Sequence, residues 1–362
     1  MSDLPVLRTL EGRYGSGTRY VTETTRIEPD RRGKIMKAVG LREFGGPEVL
    51  RVVDVPEPHA GPGQVRIRVR AAAVNPADVL IRNGTQEWAL AGVPAPYLPG
   101  MDIAGVVDEI GPDTDTSLET GDPVMAMLLP FLPADDGSVA YRGGGYAQYA
   151  VLPATSVVRA PDGLGHEAAA TLPMNGLTAL LAFDQLALPP GSTLAVIGAA
   201  GALGGYLVQL AAHAGLTVIA DAAPADEQLV RELGATEIVP RGPDVVDSIR
   251  ARYPGGVDAV ADPALVGSQL LDAVRDGGTF VRFRQAEEPG GYPADSARGI
   301  KVLSPFVPEY DGRTDKLDEI RRLAGSGVLT SRIAEVLPAD QASDAHRRLE
   351  AGGVRGRFVL TF

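Results

Sequence analysis

The chain has 362 residues, room for one large domain or two, and its 44% apolar and 22% charged content is ordinary for a globular protein. Thirty-four basic against 46 acidic side chains leave a formal charge of −12 with no long Lys/Arg run, so nucleic acid is not an expected partner. The absence of cysteine excludes disulfides, Cys-ligated zinc, iron–sulfur clusters and thiol catalysis, and no apolar run approaches the ~20 residues of a membrane span, so no membrane partner is expected.

Residues 1–35 carry seven basic side chains (Arg8, Arg13, Arg19, Arg26, Arg31, Arg32 and Lys34), few large apolar ones and a Gly15-Ser16-Gly17 stretch. No helical or strand period persists there, which predicts a flexible extension. The start has no apolar block of a secretory signal, so a cytoplasmic location is expected.

From Met36 the pattern turns strand-like. Met36–Arg42 and Val49–Val55 are short β-prone runs around a Phe44-Gly45-Gly46-Pro47 turn. In Gln64–Arg70, Val65, Ile67 and Val69 alternate with Arg66, Arg68 and Arg70, the period of a half-exposed strand. Ile103–Ile110 and Val124–Met127 add strands. Near residue 160 the character changes. His166–Ala170 and Gly176–Leu186 read as helices. Then strands (Thr193–Ile197, Leu216–Ala220, Glu237–Val239, Val257–Ala261, Thr279–Arg282) alternate with helices (Leu203–Ala214, Asp226–Leu233, Val245–Tyr253, Leu265–Arg275). That alternation predicts a parallel, doubly wound sheet with right-handed crossovers. A helix over Arg313–Ala324, a strand over Ala334–Leu337, a helix over Asp340–Glu350 and a strand over Arg357–Phe362 follow. The fold class expected is therefore α/β. A Rossmann-type domain, residues 159–303, is inserted in a β-rich domain built from residues 36–158 and 304–362.

The strongest motif is Leu194-Ala195-Val196-Ile197-Gly198-Ala199-Ala200-Gly201-Ala202-Leu203-Gly204-Gly205. A buried strand ends in a glycine loop that opens a helix, with Gly198, Gly201 and Gly204 at three-residue spacing. Such glycines allow a tight turn, close approach to a pyrophosphate, and close strand–helix packing. The helix start offers free N–H groups and about half a positive charge to phosphates. Gly198, Ala200, Gly201, Ala202, Leu203 and Gly204 are thus candidate dinucleotide contacts. The next strand closes at Asp221, placed to bond a ribose 2′-OH; a one-residue shift would instead bring Ala222 there and turn Asp221 aside. Asp221 at the ribose would repel a 2′-phosphate, whereas Arg241, after the following strand, could attract one or be an ordinary solvated charge.

Several stretches together make the chain similar to a known family. They are Met36-Lys37-Ala38-Val39, Phe44–Leu50, Ala72-Ala73-Val74-Asn75-Pro76-Ala77-Asp78, Leu98-Pro99-Gly100-Met101-Asp102-Ile103-Ala104-Gly105, Gly145-Tyr146-Ala147-Gln148-Tyr149, Leu172-Pro173-Met174-Asn175-Gly176-Leu177-Thr178-Ala179 and Ala345–Arg357. Over residues 36–362 the chain resembles the zinc-independent, zeta-crystallin-like quinone oxidoreductase branch of the medium-chain dehydrogenase/reductases. The resemblance implies a GroES-like catalytic domain, a Rossmann domain, NADPH (or NADH) in the cleft between them, hydride transfer, and a homo-oligomer, a dimer for preference. It also implies Asn75 near the nicotinamide and Thr178 at the cofactor's ribose or amide, both positioning rather than exchanging protons, and Arg282 and Phe283 beside the cofactor. Zinc-dependent relatives place a Cys near Asn75 and a His-Glu pair near Met101-Asp102. With Asn, Met and Asp there, no metal is expected. Tyrosines common near positions 80 and 86 are Leu80 and Gln86 here, Pro240 replaces another, and Arg282-Phe283-Arg284 replaces a smaller triplet.

The function expected is NADPH-dependent hydride transfer to a small quinone or α,β-unsaturated carbonyl without zinc. A redox-silent nucleotide-binding protein and a redox-neutral tailoring enzyme are the alternatives. Tyr97, Tyr146 and Tyr149 are possible proton donors, although buried tyrosines more often pack with a satisfied hydroxyl.

Overall fold

The computed structural model describes residues 33–133, 139–283 and 298–362. Nearly all of the expected N-terminal extension, and Arg284, lie outside the described residues. The first half is β-rich: β1 (Ile35–Gly40), β2 (Arg51–Pro56), β3 (Gln64–Ala73), the helix α1 (Pro76–Arg82), β4 (Asp102–Ile110), β5 (Pro123–Met127), β6 (Phe131–Pro133), β7 (Val139–Tyr141), β8 (Tyr149–Pro153) and β9 (Val157–Arg159). Helices α2 (His166–Ala169) and α3 (Pro173–Leu186) lead into the alternating part. There β10 (Thr193–Val196), α4 (Ala202–His213), β11 (Thr217–Ala222), α5 (Glu227–Glu232), β12 (Glu237–Pro240), α6 (Val245–Arg252), β13 (Val257–Asp262), β14 (Val274–Arg282) and β15 (Lys301–Leu303) succeed one another. The chain closes with α7 (Thr314–Gly325), β16 (Ile333–Pro338), α8 (Ala342–Ala351) and β17 (Arg357–Thr361).

Six of these strands form a sheet in the order β12-β11-β10-β13-β14-β15, every pair parallel. The order reverses between β10 and β13, the switch point at which such sheets bind ligands. A seven-stranded sheet runs β16-β17-β3-β4-β5-β9, with β8 also on β3. It joins both ends of the chain, because β17 pairs antiparallel with β3. One apolar core links the two sheets. Ala71, Ile81, Met101 and Met125 from the first half pack in it with Leu177, Leu181, Val196, Leu207 and Val281.

The alternation in β3 holds, with Val65, Ile67 and Val69 buried. Arg66 is less solvated than a surface arginine: it is half-buried and paired with Asp108 and Glu57. One expectation is corrected. Leu265–Arg275 is not an α-helix; a short 3₁₀ turn spans Ser268–Ala273, and β14 begins at Val274. The reason is Asp262, whose carboxylate accepts the amides of Val266 (3.0 Å) and Gly267 (2.9 Å), an alternative to the helical ladder. Buried Val274 then pairs with Val257.

Candidate functional site

The glycine loop stands at the switch point, between β10 and α4. Gly198 has φ +93°, a conformation that costs a residue with a Cβ, and a Cβ on Gly204 would lie 2.1 Å from the Gly198 carbonyl. Strand and helix therefore approach closely enough only with glycine at this position. Gly201 caps α4 without a side chain, so the first-turn amides of Ala202, Leu203 and Gly204 have no intrahelical or side-chain acceptor. Together with the positive end of the helix they form an anion cradle. Ala200 and Gly204 are buried, while Gly198, Gly201, Ala202 and Leu203 remain partly accessible.

Asp221 takes the second of its two expected orientations. Strand β11 runs two residues beyond the predicted end, so period two sets its facing. Val218, Ala220 and Ala222 join the core shared with α4, and Ile219 joins the opposite one. Asp221 follows Ile219. Its Oδ1 accepts the amides of Gly198 (2.6 Å) and Ala199 (3.1 Å), and the residue is 3% exposed. It braces the loop from behind and does not stand at the open end of the strand. Ala222 is there, buried, its carbonyl accepting the Arg241 amide at 3.0 Å, and the Arg241 side chain is exposed.

Across the seam, Asn75 follows β3 and caps α1. Its amide N–H bonds Asp78 Oδ2 (2.8 Å), and its side-chain Nδ2 donates to Asp102 Oδ2 (3.0 Å) and to the Ala73 carbonyl (3.3 Å). Asp102, at the start of β4, is fully buried. Oδ1 accepts the Met174 amide at the head of α3 (2.6 Å), and Oδ2 also accepts Arg357 Nη2 (3.1 Å). Arg357 donates Nε to the Val74 carbonyl as well (3.1 Å). Burial pushes the Asp102 carboxyl up, and Arg357 and Asn75 pull it back. Two buried polar atoms in this node have no partner: Asn75 Oδ1 and Arg357 Nη1. One is an acceptor and the other a donor, which is what a polar ligand edge or an ordered water would complete.

The remaining candidates have more local roles. Thr178 donates its hydroxyl to the Met174 carbonyl one turn back (2.6 Å). Arg282 ends β14 and donates to Ser304 Oγ (2.5 Å), while half-buried Phe283 packs on the main core. The Tyr97 hydroxyl donates to the Val93 carbonyl (3.2 Å), and the Tyr149 ring lies under Arg66 and Arg68. Tyr146 is fully buried. Its hydroxyl donates to Asp78 Oδ2 (3.0 Å) and contacts His346 Nε2 (3.3 Å), and burial raises its pKa well above normal. The hydroxyls of Tyr97 and Tyr146 are thus engaged within the protein.

Sequence reasoning passed over Asp102 as a hub and missed Arg357, Arg332, Arg355 and Asp226. Arg332 donates Nη1 to the Ala200 carbonyl (2.9 Å) and Nη2 to that of Gly201 (2.5 Å), directly on the glycine loop. Arg355 donates Nε and Nη2 to the two carboxylate oxygens of Asp226, beside the head of α5 (2.7 and 2.5 Å). These arginines lie more than 120 residues from their partners, and no sequence period reports such contacts. Among the described residues, no group of three or more His, Asp or Glu side chains is arranged to hold a metal ion, and no helix is long and apolar enough to cross a membrane.

Residues 61–162 match the alcohol dehydrogenase GroES-like domain, and residues 233–360 match the zinc-binding dehydrogenase family. An alcohol dehydrogenase of Geobacillus stearothermophilus is 30% identical over 350 residues, covering 90% of this chain and 99% of its own length. A quinone oxidoreductase of Sus scrofa is 29% identical over 342 residues, covering 90% and 98%. A mycobacterial protein solved in complex with NADPH superposes with a TM-score of 0.75 at 27% identity, over 90% of this chain and all of that one.

Proposed function

This chain belongs to the medium-chain dehydrogenase/reductase family of oxidoreductases, and from that premise we propose that it reduces a quinone or an α,β-unsaturated carbonyl with NADPH and without zinc. The observation that carries the reading is the glycine cradle: uncapped amides at the head of α4, with the Asp221 carboxylate turned behind the loop. A diphosphate fits that cradle, and the carboxylate that follows β11, Asp226, is held by Arg355.

Zinc does not fit the donor set. Asp102 has both oxygens engaged by Arg357, Asn75 and the Met174 amide, and a guanidinium 3.1 Å away disfavours a dication there. Bound NADPH would supply the hydride. The chain's own residues would then orient and stabilise. Asn75 Oδ1 and Arg357 Nη1 are the unpaired acceptor and donor beside Asp102, available to a ligand's polar edge. Arg357 adds a fixed positive charge against which enolate or hydroquinone oxyanion character would be less costly. Since the hydroxyls of Tyr97 and Tyr146 are committed within the protein, the proton that accompanies hydride would come from water.

Following loss of the reduced-nicotinamide absorbance with quinone and enone panels, with and without a chelator, tests this reading. Turnover of several such substrates, insensitive to the chelator, is expected. Tight NADPH binding with no turnover of either class, or chelator-sensitive oxidation of alcohols, would refute it.

A further inference from the structure

A cavity of about 430 Å³ opens between α4, α5 and the segment that joins α7 to β16, a volume within the range of small-molecule sites. Half-buried Arg332 closes its inner end, and exposed His213 and Glu232 stand at its rim. Between them, Leu229, Leu233 and Val328 supply apolar wall. Buried Gln209 and exposed Thr330 line it too, but they satisfy each other: Gln209 Nε2 donates to Thr330 Oγ1 (2.7 Å), and the Thr330 amide donates to Gln209 Oε1 (3.3 Å). Along α4 the lining runs from the level of Gly205, beside Arg332, to His213, eight residues or about 12 Å. The cradle residues from Gly198 to Gly204 do not line it.

The position of Arg332 is built in. A Cβ on Gly205 would lie 2.3 Å from Arg332 Nη2 and 3.1 Å from Cζ, so the guanidinium lies where any other residue would carry its side chain. Its bonds to the Ala200 and Gly201 carbonyls use two of its five N–H donors. Among the described residues Arg332 forms no ion pair, because Asp226 is taken by Arg355. Burial and the Arg355 charge both weigh against its cation, and the positive end of α4 adds to them. A half-buried cation with donors to spare, facing a cavity with apolar walls, is a receptor for an anionic group on an apolar body.

We propose that this cavity is a second ligand site, for a monocarboxylate with an unbranched apolar tail about the length of octanoate. The carboxylate sits on Arg332, and the tail runs along Leu233, Leu229 and Val328. Glu232 at the rim opposes a second carboxylate at the far end of the ligand. The site goes beyond the reductase reading and does not depend on which substrate is reduced. It is nevertheless coupled to the nucleotide cradle, because the guanidinium that takes the carboxylate also holds the carbonyls of the glycine loop. An anion on one side of this arginine lessens the attraction for an anion on the other. Carboxylate and nucleotide therefore bind together, each weakening the other by the same factor.

The test is equilibrium dialysis of the full chain at pH 8 against octanoate, octanol and the dicarboxylate suberate, with and without saturating NADPH, for wild type and the variants Leu229→Glu, Val328→Glu and Arg332→Met. Wild type should bind octanoate at least about tenfold more tightly than octanol, and more tightly than suberate. NADPH should weaken octanoate without abolishing its binding, and octanoate should weaken NADPH by the same factor. Leu229→Glu sets a carboxylate against the tail. It should cost octanoate at least about tenfold and leave NADPH binding unchanged, which also reports that the variant folds; Val328→Glu, on a separate segment of chain, should do the same. Arg332→Met should bring octanoate down to the level of octanol. Equal binding of octanoate and octanol by wild type overturns the proposal, as does octanoate binding that survives both glutamate variants. Complete displacement of octanoate by NADPH also overturns it, since the carboxylate would then occupy the cradle. Should NADPH not bind at all, the reductase reading falls and the octanoate–octanol comparison decides this site alone. Turnover of quinones or enones by a chain that ignores octanoate does the reverse.

Discussion

Buried His346 and Asp78 lie in one hydrogen-bonded chain and should respond to acid with opposite signs. Arg82 is bidentate on Glu350 (2.9 and 2.7 Å) and places Nη1 3.5 Å from His346 Nδ1. Arginine can only donate, so Nδ1 must accept and Nε2 carries the proton toward the Tyr146 oxygen; Tyr146 in turn donates to Asp78. A second proton on His346 would point at a guanidinium. Burial, and then Arg82, lower its pKa from 6.5 to about 3. As pH falls through 6.5 the unfolded chain takes up a proton that the native chain refuses, so stability is lost. By pH 5 that is 1.5 units at about 1.36 kcal/mol per unit, or ~2 kcal/mol. Asp78 is buried too, and its pKa rises from 3.8 to about 6. Below pH 6 the native chain binds a proton that the unfolded chain does not, and stability is gained, about 1 kcal/mol by pH 5. In the wild type the two partly offset. Urea unfolding of wild type, His346→Gln and Asp78→Asn at pH 7 and pH 5 exposes each alone. Relative to wild type, the change on acidification should shift by ~2 kcal/mol toward stability in His346→Gln and by about 1 kcal/mol toward instability in Asp78→Asn. Parallel behaviour of all three proteins would refute the argument.

Removing the brace behind the glycine loop with Asp221→Ala leaves the Gly198 and Ala199 amides unpaired, at a cost of about 1–3 kcal/mol by chemical denaturation. NADPH and NADH binding should weaken together; selective loss of NADH alone would return Asp221 to the ribose. Gly204→Ala sets a Cβ 2.1 Å from the Gly198 carbonyl and should destabilise by ~3 kcal/mol, with a matching loss of nucleotide binding in titration; an unaltered unfolding midpoint would contradict the packing described. Arg357→Met leaves Asp102 buried without its cation, and a loss of about 3–5 kcal/mol in unfolding free energy is expected; a neutral effect would mean that the Asn75 and Met174 bonds satisfy Asp102 unaided.

What the sequence determined by itself was local and periodic. The run from Leu194 to Gly205 specifies a strand, a glycine turn and a helix start, because the positive φ of Gly198 and the close approach of Gly204 to the Gly198 carbonyl are constraints set within a few residues. Alternating apolar residues in β3 and the succession of strands and helices from β10 onward likewise declare a doubly wound sheet beside a β-rich one. The Leu265–Arg275 stretch misled because its apolar spacing says nothing of Asp262, whose carboxylate captures the amides that a helix would have used. The facing of Asp221 depended on two extra residues of strand, and strand ends are decided by pairing with a neighbour. Only the tertiary structure could bring Arg357 to Asp102, Arg355 to Asp226 and Arg332 to the carbonyls of the glycine loop. Those partners are joined by burial and charge across more than a hundred residues of intervening chain, and an arginine bears no local mark of the oxygen that it will meet.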